Sequence, residues 1–293
     1  MAVPLNERLL RVGAQQLAVV EDGPPDGDPL LLIMGLGLQL TAWPEALVQA
    51  WVQRGFRVIR YDHRDIGHSS PQDHLPTPAL ATSALRYALR LPVHAPYTVA
   101  ALADDAALLL DALGIAQAQV LGVSMGGMVA QHLARRHPQR VARLHLWMTT
   151  SGARHLPWPS LALRRLMASR PRTAAAAQAH YVRLYQALGG PGYPTPLAEL
   201  QAKVAASSAR AWRPQATLRQ LLAIAADGDR SPWLHALQVP TQIVHGGDDP
   251  MLPLPHAQHL AHTLPNASLQ VIPGWGHDLP AALLPQLSAS VLR

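Results

Sequence analysis

The sequence contains no cysteine. This absence excludes a disulfide framework, a thiolate metal site and a cysteine nucleophile. Long apolar runs are also missing, because the most apolar stretch, residues 30–40, is too short to span a bilayer. The first ten residues lack the basic start and extended apolar segment of a signal peptide. We therefore expect a cytoplasmic protein that does not insert into a membrane.

Charged residues are scarce, at 14% of the chain, and Lys203 is the only lysine. The net charge of +6 is unevenly distributed, since residues 151–230 carry eleven basic and three acidic side chains and the remainder is slightly acidic. The sequence has no Lys/Arg run with interleaved aromatics, so no nucleic-acid partner is expected. The basic segment has two interpretations: solvated helix faces, or electrostatic attraction of an anionic substrate.

Apolar, β-branched runs alternate along the chain with longer helical patterns. This alternation predicts an α/β fold with a mostly parallel central sheet flanked by helices. The first two candidate strands are expected to form a hairpin, with Gly13 and Ala14 beginning its turn. The candidate strands are Leu9–Val12, Leu17–Glu21, Leu30–Met34, Arg57–Tyr61, Ala118–Val123, Val141–Met148, Thr241–His245 and Leu269–Ile272.

One long segment interrupts this alternation. Residues 151–237 contain helical patterns separated by proline and glycine, and no strand-like run. A structureless loop of that length would be unusual, so the segment predicts a helical cap inserted late in the sheet. The predicted core domain comprises residues 1–150 and 238–293. Its predicted helices are Pro44–Arg54, Val99–Leu113, Met125–His137, Pro255–Thr263 and Leu279–Leu292.

A strand-to-helix junction carries the sequence Gly122-Val123-Ser124-Met125-Gly126. The pattern G-x-S-x-G in this context is typical of a nucleophile elbow, a sharp turn that exposes a serine. Such a turn needs flanking residues without side chains so that the strand and helix can approach each other. Ser124 is the candidate nucleophile.

A serine hydroxyl becomes a competent nucleophile when a base accepts its proton and an acid orients that base. His277 lies in a Gly-rich loop after the last strand, and Asp249 follows the preceding strand. The order Ser, Asp, His matches the order expected for a nucleophile elbow. Asp248 is the rival acid; the position of Asp249 just before Pro250 favours Asp249.

Acyl transfer also requires donors for the oxyanion of a tetrahedral intermediate. The backbone N–H of Met125 is one candidate. The second should come from the loop after the third strand, where Leu36 lies between Gly35 and Gly37. Both donors are main-chain groups, so their apolar side chains are compatible with the role.

These motifs, with Tyr61–Ser69, together resemble the α/β-hydrolase superfamily over residues 30–280. More narrowly, the chain is similar to esterases of the aclacinomycin methylesterase type. Many relatives have His-Gly where this chain has Met34-Gly35. The resemblance implies a serine esterase, and the aspartate nucleophile of epoxide hydrolases and haloalkane dehalogenases is absent at Ser124.

The predicted function is hydrolysis of a small-molecule carboxylic ester through an acyl-enzyme intermediate, without cofactor or metal. Carbon–carbon bond hydrolysis and cofactor-free perhydrolysis remain alternatives because they use the same three residues. A non-catalytic binding protein on the same fold is a third possibility. The substrate pocket is expected to use Trp275, Trp147 and Trp158, for which core packing is the competing interpretation. The sequence does not indicate the oligomeric state.

Overall fold

The computed structural model describes residues 6–169 and 173–291. Eight strands form a single sheet in the order β1-β2-β4-β3-β5-β6-β7-β8. All neighbouring pairs from β4 to β8 are parallel, whereas β2 is antiparallel to both β1 and β4. The strands are β1 Arg8–Val12, β2 Gln15–Asp22, β3 Asp28–Ile33, β4 Phe56–Tyr61, β5 Ala118–Val123, β6 Val141–Trp147, β7 Thr241–Gly246 and β8 Ala267–Ile272.

The predicted opening hairpin is confirmed. β1 and β2 pair with Val12 opposite Gln15, which leaves a two-residue turn. Gly13 adopts φ +58 in that turn, a left-handed conformation that glycine reaches without steric cost. Each end of the eight predicted strands lies within two residues of the observed end.

Helices cover both faces of the sheet. One buried cluster contains side chains of α3, α4 and α10, and the other contains side chains of α1 and α11. This two-sided cover explains why the parallel strands read as continuous apolar runs. Outside the predicted cap, the helices are α1 Glu45–Gln53, α2 Leu80–Ala88, α3 Val99–Ala112, α4 Met125–Arg136, α10 Pro255–Thr263 and α11 Leu284–Ser290.

Between β6 and β7 the described residues contain five helices and no strand. They are α5 Leu161–Ala168, α6 Ala174–Leu188, α7 Leu197–Arg210, α8 Pro214–Asp227 and α9 Ser231–Leu234. These helices account for the helical patterns of residues 151–237, hereafter the cap segment. None of the helices described for residues 6–169 and 173–291 combines the length and apolar character needed to cross a bilayer.

Two helix predictions need correction. Helix α2 was not predicted; its leucine and alanine residues favour a helix, but Ser83 is its only buried residue, so it does not bury an apolar face in the core. The last predicted helix, Leu279–Leu292, is shorter and divided into a 3-10 turn over Ala281–Leu283 followed by α11. Its final predicted residue, Leu292, lies outside the described residues.

Candidate active site

Ser124 lies at the junction of β5 and α4 in a backbone conformation that serine seldom adopts. Its φ is +55 and its ψ is −118, so the chain turns sharply between the strand and the helix. The turn is held by main-chain contacts: Ser124 N–H donates to the Trp147 carbonyl, and the Thr149 hydroxyl donates to the Ser124 carbonyl at 2.7 Å. Such strain persists when the surroundings fix it, and it is concentrated at functional sites.

Glycines on both sides of Ser124 allow this junction to close. A Cβ on Gly126 would lie 2.0 Å from the Ile33 carbonyl oxygen, and one on Gly122 would lie 2.3 Å from the Gly126 carbonyl oxygen. Both distances are far below van der Waals contact. The elbow is therefore pressed against the end of β3, the strand that leads into Leu36.

Gly126→Ala is expected to lower the free energy of unfolding by about 3 kcal/mol, because the new methyl group overlaps backbone that has no room to move. Displacement of Ser124 by about 1 Å should also reduce kcat about 100-fold. Urea unfolding and ester hydrolysis would measure the two effects.

Gly114→Ala provides the matched control for this substitution. A Cβ on Gly114 would meet nothing within 4 Å, and its positive φ is the only source of strain there. It should lose about 1 kcal/mol of stability and no activity. Equal kcat in the two variants would contradict the steric role of Gly126.

His277 lies between Ser124 and Asp249. Its Nε2 accepts the Ser124 hydroxyl at 3.0 Å, and its Nδ1–H donates to Asp249 Oδ2 at 2.7 Å. Both contacts are within the range expected for a nucleophile, base and orienting acid. The three residues come from the loops after β5, β7 and β8, which open at the carboxyl edge of the sheet.

Asp249 is held by a dense set of donors. Its Oδ1 accepts the N–H groups of Met251 and Leu252, each at 2.8 Å. Burial raises the pKa of Asp249, but the charge and hydrogen bond of His277 outweigh it, so the pKa lies below the usual carboxyl range. The acid thus stays ionised beside the imidazole.

The two neighbouring acids have different partners. Asp248 Oδ2 accepts the N–H of Gly274 at 2.8 Å, which ties the loop after β7 to the loop that carries His277. Asp278 lies against the cap segment, where its carboxylate accepts a hydrogen bond from the Thr195 hydroxyl at 3.4 Å. Burial raises the pKa of Asp278 to about 6. Of the carboxylates of Asp248, Asp249 and Asp278, only that of Asp249 hydrogen-bonds to His277.

The His277 loop also contacts the cap segment through its backbone. His277 N–H donates to the Leu188 carbonyl at 2.7 Å, and Gly192 N–H donates to the Gly274 carbonyl at 2.9 Å. Gly190 lies so near this loop that a Cβ would be 2.3 Å from the Gly274 carbonyl oxygen. The end of α6 and the loop of the candidate base therefore form one packed unit.

The two predicted oxyanion donors flank Ser124. Met125 is the first residue of α4, and Gly35, next to Leu36, is so close that a Cβ there would lie 3.3 Å from Ser124 Cβ. Within residues 6–169 and 173–291, neither Leu36 N–H nor Met125 N–H has a hydrogen-bond acceptor. Both are therefore available to an incoming oxygen.

The loop that carries Leu36 is braced by two side chains to which the sequence analysis assigned no role. Gln220, from α8, accepts the Gly37 N–H at 2.8 Å. His63 Nε2–H donates to the Met34 carbonyl at 3.1 Å, and burial lowers the His63 pKa to about 4, which keeps the ring neutral. No local sequence signal identifies such long-range supports.

A cavity opens between the cap segment and the loops after β3 and β4. Leu36 is part of its wall, whereas Ser124 and His277 are not, so the cavity adjoins the serine on the oxyanion side. Its wall includes aromatic side chains from α6 and from the turn before α8: Tyr181, Tyr185 and Trp212.

The tryptophans expected in the pocket lie elsewhere. Trp147 and Trp275 are fully buried in the core cluster beneath the sheet. Trp158 is 58% exposed and meets the Tyr87 ring edge-on. Core packing accounts for Trp147 and Trp275. The spacing of these residues along the sequence does not indicate which face of the sheet they occupy.

The basic cap segment was expected to present solvated helix faces or to attract an anionic substrate, and three of its arginines do neither. Arg210 pairs with buried Asp62 at 2.7 Å, and Arg219 is buried in a bidentate pair with Asp65 at 2.6 and 2.8 Å. Arg230 is buried with Asp227. The other basic positions counted in that segment include Arg170 and Arg172, which lie outside the described residues.

Arg219→Met is expected to lower the free energy of unfolding by about 3–5 kcal/mol, because Asp65 would be left buried without a cation. The methionine keeps much of the stem volume, so the loss reports on the charge. Urea denaturation at pH 7 is the measurement.

Arg183→Met is the control, since Arg183 is exposed on the neighbouring helix α6. It should change stability by no more than about 0.5 kcal/mol. A similarly small change for Arg219→Met would show that the ion pair does not hold the cap segment to the core.

Helix α10 carries three histidines at every third position, His256, His259 and His262, and a spacing of this kind raises the question of a metal site. His256 is buried, with Nδ1 at 2.7 Å from the Thr150 hydroxyl and Nε2 at 2.9 Å from the Pro157 carbonyl. In the part of the chain that the structure describes, no group of three or more His, Asp or Glu side chains has a metal-binding arrangement.

Comparison with known proteins identifies relatives by sequence and by fold. The family model described as alpha/beta hydrolase fold matches residues 28–280. The chain is 29% identical to the rhodomycin D methylesterase of Streptomyces peucetius, over 92% of this chain and 91% of the relative. It is 32% identical to a poly(3-hydroxyalkanoate) depolymerase of Ectopseudomonas oleovorans, over 93% and 86%. A solved hydrolase from Pseudomonas aeruginosa superimposes with a TM-score of 0.71 at 25% identity, covering 98% of this chain and 97% of that one.

Proposed function

The chain belongs to the α/β-hydrolase fold family, and on that premise we propose that it hydrolyses a small-molecule carboxylic ester through an acyl-enzyme on Ser124. The observation that carries the proposal is the position of His277, within hydrogen-bond distance of both the Ser124 hydroxyl and the Asp249 carboxylate. The esterase and depolymerase names of the curated relatives support an ester as the substrate class.

In the acylation step, Ser124 Oγ attacks the ester carbonyl carbon while its proton passes to His277 Nε2. The negative charge on the tetrahedral oxygen is received by the N–H groups of Met125 and Leu36. Collapse of the intermediate breaks the bond to the alkoxy oxygen, and His277 returns its proton to the leaving alcohol. Asp249 keeps Nδ1 protonated and stabilises the transient imidazolium.

In the deacylation step, a water molecule replaces the alcohol. His277 removes one water proton as the oxygen attacks the acyl carbonyl carbon. The second tetrahedral intermediate expels Ser124 Oγ, which regains a proton from His277, and the acid product leaves. The same base therefore acts twice, and its contact with Asp249 matters in both steps.

The cap segment is proposed to form a domain of its own over residues 151–237 and to select the ester. The cavity beside Leu36 supports this role, because Tyr181, Tyr185 and Trp212 give it an aromatic wall near the proposed oxyanion site. Concave sites that combine aromatic side chains with polar groups are typical of small-molecule binding.

A fluorophosphonate probe tests the proposal directly, because it reacts with an activated serine and leaves a stable adduct. We expect one equivalent of label, located on the tryptic peptide that contains Ser124, together with loss of p-nitrophenyl butyrate hydrolysis. Parallel assays with a vinylogous diketone and with peracid formation distinguish ester cleavage from the other reactions of this set of residues. Absence of labelling on folded protein would contradict the proposal and favour a binding protein.

A further inference from the structure

A patch of exposed apolar side chains joins helix α2 to the beginning of the cap segment. We call it the Trp158 surface and define its apolar part by Leu85, Leu89, Leu91, Trp158, Leu161 and Met167. All six are exposed, with Leu85 and Leu89 each at 60% and Trp158 at 58%. They are more than half of the exposed large apolar residues of the described chain, so their grouping on two short segments calls for an explanation.

Ring contacts hold the two segments together. Trp158 meets Tyr87 of α2 with ring centroids 5.7 Å apart, and Arg154 lies 5.4 Å above the Tyr87 ring. Arg164, from α5, lies 5.9 Å from the Trp158 ring. The Trp158 surface is thus continuous from α2 to α5 and is crossed by cations that rest on its aromatic rings.

The charge on this surface has one sign. The sequence contains no Asp or Glu in residues 74–103 or in residues 151–198, the two stretches within which its residues lie. Arg90, Arg154, Arg164 and Arg165 are exposed there, and none of them pairs with a carboxylate of the described residues. They differ in this respect from Arg210 and Arg219, which hold the cap segment to the core.

We propose that the Trp158 surface docks this protein on an anionic lipid surface. Leucine and tryptophan side chains enter the headgroup region, while arginine heads reach lipid phosphates and their stems remain in apolar contact. A bilayer demands no complementary shape, which suits exposed apolar residues spread over two segments. The charge complementarity favours anionic over zwitterionic lipid, and the docking is peripheral, through side chains of short helices.

Vesicle sedimentation tests the proposal independently of the active site. We expect the protein to bind phosphatidylcholine vesicles that contain about 30% phosphatidylglycerol, which gives them an anionic surface. Binding to vesicles of pure phosphatidylcholine should be far weaker. Arg154→Glu with Arg164→Glu should weaken binding by more than about fivefold per arginine. Leu85→Ser with Leu89→Ser should weaken it as well, and raised salt should release the protein.

Matched controls come from the first strand, where Leu9 is 54% exposed and Arg11 is exposed nearby. Leu9→Ser with Arg11→Glu should bind vesicles as the wild type does, and thermal unfolding would verify that every variant is folded. Three results would overturn the proposal. They are equal binding to anionic and neutral vesicles, an equal loss of vesicle binding in the control variant, and binding to the anionic polymer polyglutamate without binding to vesicles. A dimer in size-exclusion chromatography that dissociates in Leu85→Ser/Leu89→Ser would assign the surface to a second copy instead.

Discussion

Ser124→Ala is expected to lower kcat for p-nitrophenyl butyrate by about 10⁵–10⁶-fold, with the protein still folded. The substitution removes one oxygen atom, the one that forms the acyl bond and whose hydroxyl contacts His277 at 3.0 Å. The backbone turn around Ser124 is fixed by main-chain and Thr149 contacts, so an alanine side chain leaves it in place. Steady-state kinetics and circular dichroism would measure the two quantities.

Ser151→Ala is the control for this loss. Like Ser124, the buried Ser151 contacts a histidine, since its hydroxyl lies 3.0 Å from His259 Nδ1. Ser151 does not lie in a strained turn, and no carboxylate of the described residues hydrogen-bonds to His259. Replacement of its hydroxyl should therefore change kcat by less than about threefold. Retention of full activity in Ser124→Ala would remove the serine from the mechanism.

Asp249→Asn is expected to reduce kcat by about 10⁴-fold, as in the serine-protease case where the orienting acid is replaced by its amide. The amide can present an N–H group to His277 Nδ1, which turns the imidazole into the wrong tautomer and leaves Nε2 unable to accept the serine proton. The low pKa of Asp249 means that the ionised form is the one lost. Measurement of kcat between pH 6 and 9 would separate this effect from a shift in pH dependence.

The adjacent residue supplies the comparison. Asp248→Asn keeps an oxygen for the Gly274 N–H and leaves His277 untouched. Its kcat should fall by less than about tenfold, through a small displacement of the His277 loop. If Asp248→Asn were the inactive variant and Asp249→Asn the active one, the acid would have been assigned to the wrong residue.

Most of the sheet could be predicted from the sequence because parallel strands buried on both faces leave a strong apolar signal. The hairpin of β1 and β2 followed from Gly13 and Ala14, which begin the turn between two strand-like runs. Helix α2 could not be predicted in the same way. It buries only Ser83, so it lacks the fully buried apolar side chains on which the other helix predictions relied.

For the candidate site too, some features could be predicted from the sequence and others depend on packing between distant elements. Ser124, Asp249 and His277 each follow a strand, and the carboxyl ends of parallel strands meet, so their proximity could be anticipated. The side of the sheet on which Trp147 and Trp275 lie depends on packing between distant elements, and sequence spacing does not report it. The pairing of Arg219 with Asp65 likewise joins residues 154 positions apart.

The hydrogen bond from His277 N–H to the Leu188 carbonyl has a consequence for how substrate range can diverge among relatives. Residues 188–192 end a cap helix and, at the same time, support the proposed base, with Gly190 too close to Gly274 to accept any side chain. A lineage that adapts to another ester by altering this stretch would move the base and alter turnover together with selectivity. Natural variation in specificity should therefore accumulate on α7 and α8, which contribute to the cavity wall but lack this backbone link.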